Sequence, residues 1–368
     1  MIIQSIELNN FRNYENLQIS FDEGTNILFG DNAQGKTNIL EAAYLSGTTK
    51  SHKGSKDKEM IRFGTNEAHL RTMVLKNGKQ YQIDMHLKHH RTKGIAVNKI
   101  PMKKASELFG ILNIVFFSPE DLNIIKNGPS ERRHFLDAEL CQLDKIYLSD
   151  LSNYNKILNQ RNKLLKDMVY RPELSDTLPV WDMQLIDTGK KIIRRREQFV
   201  KELNEIVHEI HYRISGGREE LFLSYEPSVS ADLLEQELER VKPRDLKQCQ
   251  TSVGPHRDDL LFSIAGVDIR KFGSQGQQRT SALSLKLSEI ELVRKSIHDT
   301  PVLLLDDVLS ELDSNRQNYL LNSICDTQTI ITCTGLDEFI RNRFEINKVF
   351  EVISGQVFEK GQVIERQG

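Results

Sequence analysis

The sequence predicts an α/β protein in which a domain built on a mixed β-sheet is interrupted by a mainly helical lobe. Three observations carry this prediction: a glycine-containing loop between an apolar segment and a helix-forming segment, a long stretch of heptad-like apolar residues, and a second apolar segment that ends in two aspartates. We therefore expect one domain from residues 1–120 with 250–368, and an inserted lobe, antiparallel and coiled-coil-like, from residues 121–249.

Composition limits the class of protein before any motif is considered. The 368 residues include 50 Lys and Arg against 52 Asp and Glu, a formal net charge of -2, so a nucleic-acid partner would have to contact a local cluster of basic residues. The four cysteines are dispersed without a C-x-x-C pair, which argues against a zinc site built on cysteines. The N-terminus lacks a signal-peptide pattern and no apolar run approaches a membrane span. We expect a cytoplasmic protein without membrane contact.

The glycine-containing loop is Gly30-Asp-Asn-Ala-Gln-Gly-Lys-Thr37, which fits the pattern G-x-x-x-x-G-K-[ST]. Residues 26–29 suit a buried strand and residues 38–45 are strong helix formers, which is the context that a phosphate-binding loop requires. In such a loop the backbone N–H groups face the phosphates, the lysine reaches the terminal phosphates and the Thr37 hydroxyl ligates Mg²⁺. The alternative is an ordinary glycine turn with a solvated lysine. The ATP-binding candidates within the loop are Gly30, Asp31, Asn32, Ala33, Gln34, Gly35, Lys36 and Thr37.

Alternating apolar residues predict two antiparallel hairpins around this loop, one from residues 3–8 with 17–21 and one from residues 70–75 with 81–87. The second hairpin leads into a stretch, residues 86–104, that contains many basic residues and no acidic one. Such a patch suits the binding of a polyphosphate backbone, whereas the alternative is a solvated sheet edge protected by lysines. The neighbouring His89 and His90 are interpreted as part of this basic edge rather than as a metal site. The candidate DNA contacts are Lys88, Arg91 and Lys93.

Apolar residues recur at spacings of three, four and seven over residues 143–165 and 185–210, with a proline-containing segment at 171–179 between them. This pattern predicts two long antiparallel helices. Packing of both helices on a globular core, without coiled-coil character, remains an alternative. Basic residues at spacing four on the second helix, including Lys190 and Arg194, are further candidates for DNA contact, although such a run is usually a solvated face.

Two more segments suggest a bound nucleotide. The loop at residues 271–279 opens a helix, so Ser274 and Gly276 could help to hold a second anion, although many helices begin with Ser or Gly for capping alone. The apolar run at residues 301–305 ends in Asp306 and Asp307, and a carboxylate at the end of a buried strand can hold the Mg²⁺ that Thr37 ligates. The alternative is a strand that merely ends at the surface. A closing hairpin is expected at residues 349–363.

The order of these motifs resembles that of the ATP-binding-cassette (ABC) ATPases, and within them the heads of structural-maintenance-of-chromosomes (SMC) proteins. The resemblance is closer still to the RecF family of bacterial recombination proteins. It covers essentially the whole chain and implies an ABC-type P-loop ATPase head with an inserted helical lobe. The motifs that carry it are Phe11-Arg-Asn-Tyr14, Gly30–Thr37, Phe117-Ser-Pro-Glu-Asp-Leu122, Gly254-Pro-His-Arg-Asp-Asp259, Gly273-Ser-Gln-Gly-Gln-Gln278 and Leu305-Asp-Asp-Val-Leu-Ser-Glu-Leu-Asp313.

The resemblance also implies a role for each site residue. Arg12 joins the ATP site, Asp306 holds magnesium, and Asp307 activates the attacking water. Two subunits would close face to face on ATP, with Asp313 at the dimer seam. The loop that covers the phosphates of the partner subunit, in trans, would be Ser274, Gln275, Gly276 and Gln277.

At the level of function, the resemblance implies an ATP-dependent DNA-binding protein of recombinational repair. Such a protein dimerises on ATP, binds double-stranded DNA near single-strand gaps, and assists recombinase loading with RecO and RecR. Two departures from the family, Ser118-Pro119 in place of a metal-sensing glutamine and residues 332–334 in place of a switch histidine, imply a weak, DNA-stimulated ATPase. The alternative is a nucleotide-gated DNA clamp in which hydrolysis only resets the dimer. The long separation of Lys36 from Asp307 disfavours a transporter ATPase.

Overall fold

The computed structural model describes residues 1–324, 326–336 and 346–360. The chain divides into two compact units, of which the first comprises Met1–Asp121 with Glu289–Gly368 and the second comprises Leu122–Ser288. Within the described ranges, none of the helices combines the length and the hydropathy that a membrane span requires.

A six-stranded sheet forms the centre of the first unit. Its strands follow the order β15-β14-β3-β13-β12-β8, and all neighbours are parallel except β15, which pairs antiparallel with β14. Apart from β15, the strands are short and largely buried, as expected of a parallel sheet covered on both faces. The predicted closing hairpin is present as β14 and β15, and its residues 361–363 lie outside the described residues. The strands are β3 Thr25–Phe29, β8 Ile114–Phe117, β12 Val302–Asp306, β13 Thr329–Cys333, β14 Lys348–Ile353 and β15 Gln356–Lys360.

A second, antiparallel sheet in the first unit has the order β2-β1-β4-β5-β6-β7 and contains both predicted N-terminal hairpins. One face of this sheet is apolar, and helix α1, Lys36–Thr48, shares a single core with it and with the parallel sheet. The opposite face carries polar side chains. The strands are β1 Ile2–Phe11, β2 Tyr14–Ser20, β4 Glu67–Lys76, β5 Lys79–Lys88, β6 Arg91–Val97 and β7 Ile100–Pro101.

The second unit is built on two long helices, α4 Lys145–Asp167 and α5 Leu178–Ile214. They are antiparallel, because Arg161 near the end of α4 pairs with Asp182 near the start of α5, while Tyr147 near the start of α4 contacts Arg196 in the middle of α5. The remaining elements of this unit are α2 Leu122–Lys126, α3 Pro129–Leu143, β9 Leu221–Glu226, α6 Leu234–Gln248, β10 Asp259–Ile264, β11 Val267–Asp268 and α7 Ile269–Phe272. Helix α8, Gln275–Ile297, runs from the second unit into the first, which also contains α9, Ser314–Ser323.

The end of the second unit differs from the expected lobe at residues 121–249. Strand β9 lies within the expected lobe, but it hydrogen-bonds along its whole length to β10, which lies beyond residue 249. Because backbone hydrogen bonds between strands tie both partners into one sheet, residues 250–288 belong to the second unit.

The motif at residues 254–259 serves as a polar centre of the second unit. The Asp258 carboxylate is fully buried and accepts hydrogen bonds from the Tyr225 hydroxyl, from the Ser228 N–H at 2.8 Å and from the Arg196 guanidinium at 3.2 Å. The Asp259 carboxylate accepts two hydrogen bonds from the Arg132 guanidinium, at 2.5 and 3.1 Å. The motif therefore joins α3 and α5 through ion pairs with Arg132 and Arg196, and β9 through the hydroxyl of Tyr225.

Candidate nucleotide-binding site

The glycine-containing loop connects β3 to α1, as its sequence context predicts. Both of its glycines have positive φ angles, 149° for Gly30 and 117° for Gly35, where a side chain would be strained. A Cβ on Gly30 would collide with the Val352 carbonyl oxygen, and a Cβ on Gly35 would lie 2.5 Å from Asn13 Nδ2 and 2.8 Å from the Tyr14 hydroxyl. The loop conformation thus depends on both glycines, and it turns the chain directly into the N-terminus of a helix, where an anion is favoured.

The side chains of Asn13, in the turn between β1 and β2, and Tyr14, at the start of β2, support the loop. The Asn13 amide donates a 3.0 Å hydrogen bond to the Gln34 carbonyl, and the buried Tyr14 hydroxyl donates to the Gly35 carbonyl at 3.1 Å. The Gln34 side chain in turn accepts from the Ser354 N–H at 2.6 Å. These contacts hold the base of the loop, while Asp31, Asn32 and Ala33 at its crest are exposed.

Lys36 lies along the inside of the loop. Its ammonium donates to the Gly30 carbonyl and, at 2.8 Å, to the Asp31 carbonyl. An ammonium group has three N–H donors, so one donor is left for a phosphate. Burial lowers the pKa of Lys36, while the carboxylates of Asp307 and Asp306 act in the opposite direction.

Thr37 and Asp306 meet at the carboxyl edge of the parallel sheet. The Thr37 hydroxyl donates to Asp306 Oδ1 at 2.8 Å, and the Thr332 hydroxyl donates to the same oxygen at 2.7 Å. Asp306 and Thr332 are direct neighbours in the β12–β13 register. A carboxylate beside a hydroxyl, close to a phosphate-binding loop, is the hard oxygen donor set that Mg²⁺ prefers. The residues present therefore fit a magnesium ion held by Thr37 and Asp306.

Asp307 directly follows β12 and has a left-handed backbone, with φ of 54°. Its N–H donates to the Thr332 hydroxyl at 3.0 Å and to the Thr332 carbonyl at 3.3 Å, which stabilises this uncommon conformation. Burial raises the pKa of Asp307, and the nearby Lys36 charge opposes that effect. A carboxylate with a raised pKa is a better proton acceptor, which is consistent with the role assigned to it by resemblance.

Arg12, expected at the ATP site, forms a bidentate pair with Glu41 of α1, with distances of 2.6 and 2.7 Å. Glu41 is 1% exposed. Burial disfavours its charge, but hydrogen bonds from Arg12 and Ser51 outweigh that effect and lower its pKa. The one sequence signal for this pair was an acidic residue within the apolar stretch Ile39–Leu45 of α1. Glu41 was assigned no role from the sequence, and Thr332 was noted only as part of the segment that stands in place of the switch histidine. A direct contact of Arg12 with ATP stays a prediction.

The Ser274–Gln277 segment begins helix α8 with a reciprocal capping arrangement. The Ser274 hydroxyl accepts from the Gln277 N–H at 3.2 Å, and the Gln277 side-chain oxygen accepts from the Ser274 N–H at 2.9 Å. Residues 274–276 are exposed. The Gln277 amide also donates to Glu219 at 3.0 Å. Because this segment and the glycine-containing loop belong to different compact units, its action in trans stays a prediction.

Asp313, the expected seam residue, caps helix α9. Its carboxylate accepts from the Arg316 N–H at 3.0 Å and pairs with the Arg316 side chain at 2.6 Å. Half of its side chain is exposed, so these contacts leave surface available to a second subunit.

The three DNA candidates of the first unit differ in how freely their charges face solvent. Arg91 is exposed at the start of β6, and Lys88 lies 4.0 Å from Glu67. Lys93 is only 18% exposed, since its ammonium donates to the Thr49 carbonyl at 2.5 Å and to Asp57 at 2.7 Å. The Lys93 charge thus has structural partners, which could not be predicted because Asp57 and Thr49 are remote along the chain.

The basic run on α5 lies next to carboxylates. Lys190 is 3.4 Å from Glu235, and Arg194 is 2.8 Å from Asp232. Their neighbours Lys191 and Arg195 pair with Asp187 and Asp144. These pairs offset the positive charge that the sequence predicted for this helix face, so contact with DNA through Lys190 and Arg194 stays a prediction.

Comparison with known proteins places the chain in a family. The profile of the "RecF/RecN/SMC N terminal domain" matches residues 2–356. A protein of Agathobacter rectalis named DNA replication and repair protein RecF is 74% identical over 97% of this chain and 99% of its own, and a protein of the same name from Lachnospira eligens is 63% identical over 97% and 99%. The chain belongs to the RecF family.

Solved structures agree with this assignment of the RecF family. The chain superimposes with a TM-score of 0.91 on the recombination mediator protein RecF-ATP of the RecFOR pathway, at 37% identity over 98% of this chain and 97% of that one. An SMC head bound to the C-terminal winged-helix domain of ScpA matches with a TM-score of 0.58 at 16% identity, which shows a common fold. The predicted ABC-type ATPase head with a helical lobe is therefore confirmed.

Proposed function

We propose that this protein is an ATP-dependent DNA-binding protein of recombinational repair with a weak ATPase activity that DNA stimulates. The observation that carries the proposal is the contact of Thr37 with Asp306, which joins the phosphate-binding loop to the acidic end of β12. Membership of the RecF family supports it, since relatives are named DNA replication and repair proteins.

In this proposal the backbone N–H groups of residues 30–37 bind the phosphates of ATP, and Lys36 uses its remaining donor on the terminal phosphates. Thr37 and Asp306 hold Mg²⁺, which would offset the negative charge that develops on the transferred phosphoryl group. Asp307 orients the attacking water and accepts its proton. Catalysis then rests on positioning and electrostatic stabilisation by residues that the fold already holds in place.

ATP binding would also drive formation of a homodimer. The exposed Ser274–Gln277 segment presents a hydroxyl, backbone N–H groups and a helix N-terminus, which together suit the phosphates bound by a partner subunit. Asp313 would lie at the seam between the two subunits. Nucleotide occupancy would thereby become a dimerisation signal.

The DNA substrate would be double-stranded DNA beside single-strand gaps, with RecO and RecR as partners in recombinase loading. The similarity to a recombination mediator of the RecFOR pathway supports this part of the proposal. Exposed basic residues, with Arg91 the freest of the candidates, would contact the phosphate backbone without reading the sequence.

ATP turnover with and without gapped DNA, together with sedimentation, tests the proposal on three variants. Lys36→Ala should lose ATP binding, Asp307→Asn should bind ATP and accumulate as a dimer, and Ser274→Arg should bind ATP but remain monomeric. A Ser274→Arg protein that dimerises like the wild type would refute the action in trans. If the rate of ATP hydrolysis is unchanged in both Lys36→Ala and Asp307→Asn, the assigned site is refuted.

A second function, a nucleotide-gated DNA clamp, is favoured by the chain that follows β8. Ser118 and Pro119 occupy the place of a metal-sensing glutamine in the resemblance, and the Ser118 N–H is bound to Asp121 at 2.7 Å. If Asp307→Asn supports recombinase loading as well as the wild type does, the clamp is the correct description. If loading falls in proportion to ATP turnover, hydrolysis is part of the function.

A further inference from the structure

Two histidines and a glutamate meet on the polar face of the antiparallel sheet, away from the residues assigned to ATP. Glu67 and His69 are two positions apart on β4, so their side chains point to the same face. His86 is the direct partner of His69 on β5. Three side chains that commonly bind metals therefore share one small area of the sheet.

The distances within this group suit a single ion. His86 Nε2 lies 2.9 Å from Glu67 Oε2, and His69 Nε2 lies 3.9 Å from Glu67 Oε1. The two imidazole rings are stacked with their centroids 3.8 Å apart, and one ligand atom from each of the three residues can be chosen so that all lie within 4.8 Å of one another. Ligands about 2.1 Å from a tetrahedral zinc ion would be separated by about 3.4 Å. Side-chain rotations that turn the two imidazole rings out of the stack, each with a nitrogen directed at one point, would bring the three ligand atoms to those separations.

We propose that Glu67, His69 and His86 form a binding site for one divalent transition-metal ion, with zinc as the reference ion. Imidazole nitrogen suits zinc better than magnesium, which prefers oxygen ligands, so the ion bound here would differ from the ion at Thr37 and Asp306. Three protein ligands leave a fourth tetrahedral position for water or another ligand.

The three proposed ligands, Glu67, His69 and His86, are accessible from solvent. The side chains of Glu67 and His69 are about half exposed, at 52% and 51%, and His86 is 30% exposed. Gly94 on β6 pairs with His86 and contributes no side chain that could cover it. The competing cation is the Lys88 ammonium, 4.0 Å from Glu67, an exposed contact that a coordinate bond to zinc can replace.

Metal binding would cross-link β4 and β5, because ligands from both strands would be bound to the same ion. An ion that binds the folded protein and not the unfolded chain stabilises the folded state by mass action. This role requires neither ATP nor DNA, so the site can be tested independently of the proposed function.

Isothermal titration of the tag-free full-length protein with zinc chloride tests the proposal, with magnesium chloride as the reference ion. We expect one zinc ion per chain. His69→Gln and His86→Gln should each weaken zinc binding by more than the roughly tenfold that loss of an outer hydrogen-bond partner costs. Cobalt(II) should give the visible absorption of a tetrahedral site in the wild type and lose it in both variants.

The controls are His89→Gln with His90→Gln, at the exposed turn that follows β5, and Asp306→Asn in the proposed magnesium site. Both control proteins should bind zinc like the wild type. The proposal is overturned if zinc does not bind, if His69→Gln and His86→Gln bind it unchanged, or if only the His89 and His90 variant loses it. Circular dichroism of each variant establishes that the fold is retained.

Discussion

The hydroxyl of Thr37 donates a 2.8 Å hydrogen bond to the carboxylate of Asp306, 269 positions away in the chain. The two residues reach each other because the loop after β3 and the end of β12 lie at the same edge of a parallel sheet, with only β13 between the strands. Thr332 on β13 binds the same carboxylate oxygen and fixes its orientation. The site is thus assembled by β3 together with β12 and β13, two consecutive strands that are far from β3 in sequence.

This contact predicts that Thr37→Val lowers ATP turnover by at least about a hundredfold, since the variant keeps the shape of the side chain but loses the oxygen that ligates Mg²⁺. Thr37→Ser is the matched control, because it retains the hydroxyl, and its turnover should remain within about tenfold of the wild type. The measurement is steady-state ATP hydrolysis over a range of magnesium concentrations. Equal turnover of the valine and serine variants would contradict a metal-ligating role for Thr37.

The buried Arg161 predicts a large effect on stability in the second unit. Its guanidinium is fully buried and contacts Asp245 at 2.8 Å and Asp182 at 2.6 Å. Asp245→Ala would leave part of this buried charge unpaired, so we expect the free energy of unfolding to fall by about 3 kcal/mol. Urea unfolding followed by the fluorescence of Trp181, the single tryptophan of the chain, reports on α5 directly.

Asp232→Ala is the control for this prediction, because Asp232 pairs with Arg194 on the surface, where the two side chains are 83% and 64% exposed. This substitution should lower the free energy of unfolding by less than about 1 kcal/mol. If Asp245→Ala and Asp232→Ala destabilise the protein equally, the burial of the Arg161–Asp245 ion pair does not increase its contribution to stability, and the prediction is wrong.

His256 predicts a dependence of stability on pH. Burial lowers its pKa to about 4, and its neutral ring is held by the Tyr154 hydroxyl at 2.7 Å and by the Thr251 carbonyl at 3.1 Å. The unfolded chain takes up this proton near pH 6.5 and the folded protein only near pH 4, so stability is retained above pH 6.5 and lost as the pH falls towards 4. Between pH 7 and pH 5 the loss from this one group should be about 2 kcal/mol.

Urea unfolding at several pH values, followed by Trp181 fluorescence, measures this loss. His256→Gln should be less stable than the wild type at pH 7 but should lose less stability on acidification. His134→Gln, at an exposed position of α3, is the control and should keep the slope of the wild type. An unchanged slope for His256→Gln would assign the acid sensitivity to other groups.

Local patterns predicted much of the fold and of the site. The phosphate loop, the strand that ends in Asp306, both N-terminal hairpins and the two long helices were all expected and are present. These features could be predicted because backbone geometry and the period of apolar residues depend on neighbours in the chain. The C-terminal boundary of the helical lobe was expected at residue 249, whereas the second unit extends to Ser288. The difference arises because the pairing of β9 with β10 joins segments on either side of residue 249.

The sequence by itself determined the class of fold and the residue types of the site: a phosphate loop with Lys36 and Thr37, and a carboxylate at Asp306. The pairing of His69 with His86 is local by comparison, because the alternating apolar residues of β4 and the Asn77-Gly78 turn set the register of that hairpin. Only the tertiary structure decided which distant side chains meet, such as Arg12 with Glu41 and Thr332 with Asp306. The physical reason is that strand order in the sheet and the packing of α1 fix these contacts, and no local pattern of residues encodes either of them.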